Sequence, residues 1–167
     1  MGGVVTAMQE ESNRKMNAAD ESSAQRSGTS AFDAAIDFRE RLLAKNWPDE
    51  SKLPGLVKAP HGADAKYALT LMRSDGGLLG VWSRPRARFL YPDFQFDDDG
   101  RLIPEMSLLL HMLPAEGDDA GWRRAFWLYS PQALLEGRTP SSIFALDPLK
   151  ILDVAKAEFC VSTDAGW

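Results

Sequence analysis

The sequence predicts a mainly α fold: a small helical bundle with one short β-hairpin between an N-terminal helical part and the C-terminal bundle. Three observations carry this reading. Apolar residues recur at helical spacing through most of the chain after residue 30. That period breaks at Gly76-Gly77, where two short apolar runs flank a polar turn. The C-terminal half then pairs a capping residue with a following proline three times, at Ser130-Pro131, Thr139-Pro140 and Asp147-Pro148.

The elements follow in order. Residues 1–29 hold almost no large apolar side chain, so they are expected to form a disordered tail. Phe32, Ala35, Ile36 and Leu43 fall on one stripe of a helix of about 14 residues, capped by Ser30 and stopped by Trp47-Pro48. Pro54 and Gly55 allow at most one irregular helical turn between Glu50 and Lys58, and His61-Gly62 reads as loop. A second helix is expected over 63–73, with Tyr67 and Leu71, and Ala68 and Met72, at i, i+4. LLGVW and RFLYP flank SRPRA as a hairpin, placing Arg84, Arg86 and Arg88 near its tip.

Beyond Pro92 the pattern is helical. Met106, Leu109, Leu110 and Leu113 mark a helix over 103–113, and Trp122, Ala125, Phe126 and Tyr129 mark another. A short helix over 131–136 is ended by Gly137, and a last helix over about 148–160 turns Leu152, Ala155 and Phe159 inward. The resulting divisions are 1–29, 30–77 (helical, degenerate helix-turn-helix-like), 78–160 (hairpin plus helical domain) and the tail 161–167.

Composition narrows the function classes. With 19 Lys and Arg against 24 Asp and Glu, the chain carries a formal charge of −5, which excludes a surface coated with positive charge for nonspecific nucleic-acid binding. One cysteine and two histidines exclude a disulfide framework and a structural zinc site. The apolar stretch Met106 to Leu113 is far short of the roughly 20 residues of a membrane span. Polar residues from Gln9 onward leave no secretory apolar core, so a cytoplasmic protein with no membrane association is expected.

Catalytic chemistry lacks its parts. Neither His61 nor His111 stands beside a Ser or Cys nucleophile, and His111, between leucines, reads as partly buried or at an interface. Cys160 reads as a small buried hydrophobe. Asp97-Asp98-Asp99-Gly100 fails as a calcium loop: with Gly100 at position 6, position 1 is Gln95 and position 12 is Met106, with Glu105 one residue short. The glycines at 76, 77 and 80 lack the Lys-Ser/Thr and helix of a phosphate loop. No cofactor is implied.

Two features suggest binding. Arg84, Arg86 and Arg88 are placed for DNA phosphate or minor-groove contact, together with helix 63–73, in a small DNA-binding regulator. Trp127 lies off the stripe of its helix and so serves either a second internal contact or an interface.

The strings YPDFQFDDDGRLIPEM and WLYSPQALLEGRTPSSIFALDP, with a Gly-Trp between them, carry a family pattern. Its residues are Tyr91, Pro92, Phe94, Gln95, Gly100, Trp122, Trp127, Leu128, Pro131, Leu135, Gly137, Thr139 and Pro140. Over residues 78–160 the chain resembles the antitoxin family with an Xre/MbcA/ParS-like toxin-binding domain. The resemblance implies a non-catalytic protein whose partner is a cognate RES-domain toxin acting on NAD. It implies that the last helix and tail approach the toxin's active-site cleft, which brings in Arg138, Lys150, Lys156 and Trp167 by position. A homo-oligomer and weak DNA binding are the other associations considered. Many family members begin with a helix-turn-helix, and Pro54, Gly55, Pro60 and Gly62 depart from that pattern here.

Overall fold

Helix dominates the fold, with one small antiparallel hairpin set into it. The computed structural model describes residues 30–53 and 64–160, and the chain divides between Lys45 and Asn46 into two units. The expected tail 1–29, the breaker region 54–63 and the C-terminal tail 161–167 lie outside the described residues. Among those described, no helix is long and apolar enough to cross a membrane.

The first unit contributes helix α1, residues 30–43. Phe32 and Ile36, expected on its covered stripe, are 67% and 41% exposed. The reason is simple: no second element among the described residues of that unit packs on them.

The second unit begins with a segment that has no regular structure and is nonetheless core. Trp47 is 2% exposed and packs at a tilt against Tyr129, ring centroids 5.3 Å apart, while Leu53 is fully buried with Leu69, Leu78 and Tyr91. Between them, the Pro48 carbonyl accepts the Tyr91 N–H and Asp49 bridges Leu90.

Helix α2, Ala65–Ser74, starts two residues later than its sequence pattern suggested, because the Asp64 side chain accepts the Lys66 N–H as an N-cap. Its stop is a Schellman motif: Gly76, at φ +72°, donates to Arg73 O while Gly77 donates to Met72 O. Ala68 and Leu69 are buried, whereas Tyr67 and Leu71 form an exposed face.

Strands β1, Val81–Ser83, and β2, Arg88–Leu90, pair in the register Val81 with Leu90, Trp82 with Phe89 and Ser83 with Arg88. Arg88 therefore belongs to a strand rather than the tip. The outer side of β2 meets Pro48-Asp49, and on β1 the Trp82 N–H reaches Ala120 O at 2.9 Å.

A 3-10 turn, Asp93–Gln95, follows and carries the most consequential polar side chain. Gln95 is fully buried; its Oε1 accepts the Leu79 N–H, and its Nε2 donates to Leu79 O and Pro92 O, at 2.8–3.0 Å. The aspartate run is an exposed turn in which Asp97 Oδ1 accepts from the backbone of Asp99 and Arg101.

Four helices complete the unit: α3, Glu105–Met112; α4, Trp122–Tyr129; α5, Pro140–Ile143; and α6, Pro148–Phe159. Helix α3 packs on α6, and α5 touches both α4 and α6. Helix α3 is shorter than the expected 103–113, since Pro104 only leads into it and Leu113 is already extended. An aromatic row, Phe144 to Phe94 to Tyr129 to Trp47, runs through the core with ring centroids 5.3–5.8 Å apart.

The expected helix over 131–136 is instead a single 3-10 turn, Ala133–Leu135. Gln132 is extended, pairs its N–H with Arg138 O and accepts from Gly137 N–H, so Pro131 cannot begin a helix. Gly137 takes φ +80°, as its turn position demanded. Cys160, expected to be buried, is exposed because it is the cap residue past the apolar stripe Ile151, Leu152, Val154 and Ala155.

Replacing Gln95 by Leu should cost about 2–4 kcal/mol, because the buried Leu79 N–H and C=O would both lose their partner. Urea unfolding of the two proteins measures this. Gly137→Val should cost about 1–3 kcal/mol through its backbone conformation alone, since nothing lies within 4 Å of the new Cβ. Arg138→Ala, at an exposed site, should stay within about 0.5 kcal/mol of the parent.

Candidate functional site

The residues singled out by the sequence fall in three places. Trp127 points from α4 to α6: its ring meets Phe159 at 5.5 Å and its indole N–H donates to Glu158 Oε2 at 2.8 Å. Its position off the main stripe is thus used for a second internal contact. Lys150 and Lys156 are both exposed on α6. At about 100° per residue they stand about 120° apart around the axis, with exposed Asp153 between them. Arg138 is exposed beside the 3-10 turn, where its Nε reaches Leu135 O at 3.4 Å. Trp167 lies outside the described residues.

The hairpin arginines are largely committed to their own chain. Arg88 forms an ion pair with Asp49 at 2.9 Å, and Arg86 Nη2 donates to Asn46 Oδ1 at 3.1 Å. Arg84 alone of the three has no side-chain partner among the described residues. The Asp49 carboxyl is held down to about 2, first by the Ser51 hydroxyl and then by Arg88. Tyr91, also against this segment, is pushed up to about 12 by burial and by Glu50.

A third place was not visible in the sequence. A cavity of about 530 Å³ opens between the C-terminal end of α2, the C-terminal end of α3 and the loop before α4. Arg73, Asp75, Gly76, His111, Asp119 and Arg124 are among its lining residues. The Arg73 guanidinium lies 3.8 Å from the centre of the Phe89 ring, which fixes one wall. Asp118, 5% exposed, accepts from the Arg123 and Arg124 N–H groups and from Arg124 Nε, so it caps α4 from four residues before its start. His111 Nδ1 lies 2.6 Å from Ser107 O, and its Cε1–Nε2 edge rests against Gly76. His111 is exposed rather than partly buried, and it lines the cavity. The available signals were faint: a glycine pair after α2, and an aspartate placed before the Gly121-Trp122 helix start.

Asp49 should show an acid-side contribution to stability of definite sign. Its folded value lies below the ordinary 3.8, so the contribution is complete above about pH 4 and fades as pH falls toward 2. Carboxyl-carbon NMR titration should place its midpoint near the low value. Ser51→Ala and Arg88→Ala should each raise that midpoint, and the double variant should bring it close to the ordinary value.

Comparison of the chain with protein-family models, with curated proteins and with solved structures returned no match.

Proposed function

We propose that this chain is a non-catalytic, antitoxin-like binding protein that docks on and inhibits a RES-type, NAD-consuming toxin through the region 78–160. The observation that carries the reading is the ordered residue series from Tyr91 to Pro140, all within one structural unit. Much of that series is occupied with folding: Gln95, Trp122, Leu128, Leu135 and Pro140 are buried. Contact with a partner then falls to the less buried motif residues, Trp127 and Pro131 among them, and to exposed side chains around them. Leu134, Leu146 and Leu149 are 64%, 86% and 65% exposed around the 3-10 turn and the start of α6, and serve no contact in the core. These three exposed leucines are the apolar side chains we assign to the partner contact.

The direct test is co-expression of the full chain with a RES-domain toxin encoded beside it. Co-purification of the two and restored cellular NAD support the reading; toxin activity undiminished by excess chain overturns it. Leu146→Glu with Leu149→Glu should leave the melting temperature nearly unchanged, since exposed substitutions stay within about 0.5 kcal/mol. The same pair should weaken toxin capture about tenfold or more. Lys150→Ala with Lys156→Ala, measured alongside, separates an electrostatic contact from an apolar one.

A further inference from the structure

We propose that the cavity between the C-terminal ends of α2 and α3 binds a monocarboxylate through the guanidinium of Arg73. The proposal is independent of the toxin-binding reading. At about 530 Å³ the cavity is within the range in which proteins hold small ligands. What it would hold follows from which of its charges already have a counter-charge.

Arg73 has none. It is partly buried, its Nε is enclosed without an acceptor, and no ion pair to it forms among the described residues. Its guanidinium rests on the Phe89 ring at 3.8 Å and is hydrogen-bonded to the Tyr91 hydroxyl. Neither contact supplies a negative charge, since burial keeps Tyr91 a neutral phenol. A guanidinium drawn partly out of water without a counter-charge is costly, and an anion offsets that cost. The group is also held in place. A Cβ at Gly80 would lie 2.8 Å from Arg73 Cδ and 3.2 Å from the Phe89 ring, so the glycine is what lets the arginine lie flat there. A guest meets a guanidinium already ordered.

The second arginine of the wall is engaged. Arg124 Nε is on the Asp118 carboxylate at 3.0 Å and its Nη2 reaches the Asp118 carbonyl at 3.3 Å, which makes the two side chains a neutral pair. The remaining charges set the size of the guest. Asp75 and Asp119 are exposed lining residues, and α2 and α3 both turn their carbonyl ends this way. Exposed carboxylates are screened by water and salt, and a half-buried guanidinium is screened much less, so a single negative charge is still held. Phosphate, with nearly two charges, meets twice the opposing field. A carboxylate carries one charge on two oxygens in a plane, the shape a guanidinium takes best. Gly80, Leu110 and Ala115 leave an uncharged part of the lining for a short carbon body.

Such a group has two sources, a free small acid or a Glu side chain of a partner protein. Titration of the full chain at neutral pH with butyrate, and separately with acetyl-glutamyl-glycinamide, distinguishes them by calorimetry and chemical shifts. Saturable binding of either probe is expected, with shifts at the Gly76 and Gly80 amides and at the Arg73 Nε–H. Butyramide, of the same shape without the charge, should not bind, and inorganic phosphate should bind at least about fivefold more weakly than butyrate. Arg73→Gln should weaken binding about tenfold or more, while Arg84→Gln, an equal charge change at an exposed arginine outside the cavity lining, should alter it less than about twofold. Arg73→Lys, which keeps the charge and loses the planar group, should weaken it about threefold or more and serves where the glutamine variant does not fold. Asp75→Asn with Asp119→Asn should strengthen it about twofold or more. Tighter binding of butyrate identifies a free small acid, and preference for the peptide identifies a partner's side chain. No saturation by either probe, equal binding of butyramide or phosphate, or an equal loss in Arg84→Gln overturns the proposal. Thermal unfolding of each variant confirms that it is folded when titrated.

Discussion

A single side-chain amide stands where a strand would otherwise be needed. Gln95 meets both the N–H and the C=O of Leu79, the residue two before β1, and holds Pro92 O with the same NH₂ group. Its own carbonyl accepts the Ile103 N–H, just ahead of α3. The hairpin, the 3-10 turn and the approach to α3 are therefore positioned by one residue in a dry environment, where each hydrogen bond is strong and each lost one is costly. The next residue after Leu79 continues the chain of dependence. Gly80 presents its carbonyl so close to Gly121 that a Cβ there would collide with it, and the Trp122 indole N–H donates to Trp82 O at 3.0 Å. The start of α4 is located on β1 by backbone proximity, and that proximity rests on Gln95.

Much of this was legible where the physics is local. Asp147-Pro148 opens α6 with the side chain accepting the Lys150 N–H, and Thr139-Pro140 opens α5, as a capping residue and proline dictate. Ser130-Pro131 carried the same signal and failed, because Gln132 pairs across the turn with Gly137 and Arg138, a contact no local rule anticipates. Likewise Gln95 showed in the sequence only as one polar residue of the string YPDFQF; its role depends on Leu79, 16 residues earlier. Trp47 and Leu53 stand among turn residues, yet they fill the core, since irregular backbone can still deliver large side chains to it.

The candidate sites were less legible, for an electrostatic reason. Three arginines in five residues look like an offer to an external anion, and in the fold two of them answer Asn46 and Asp49, about forty residues away. Charge density along a chain says little about whether the charge is already matched. The cavity shows the reverse case: Arg73, His111 and Arg124, unremarkable one by one, line one opening only because α2 and α3 stop side by side.

The covering of the hairpin has a consequence for synthesis. On the ribosome Pro48 and Asp49 precede β2, so the outer side of that strand meets its cover as soon as the hairpin closes. Ala120, which takes the Trp82 N–H of β1, emerges only after the 3-10 turn, the aspartate turn and α3 have all been made. For that interval the nascent chain carries an open strand edge, the arrangement that invites pairing with other chains. The moment of greatest aggregation hazard is thus set by chain order: it begins when Leu90 leaves the exit tunnel and ends when Gly121 seats on Gly80.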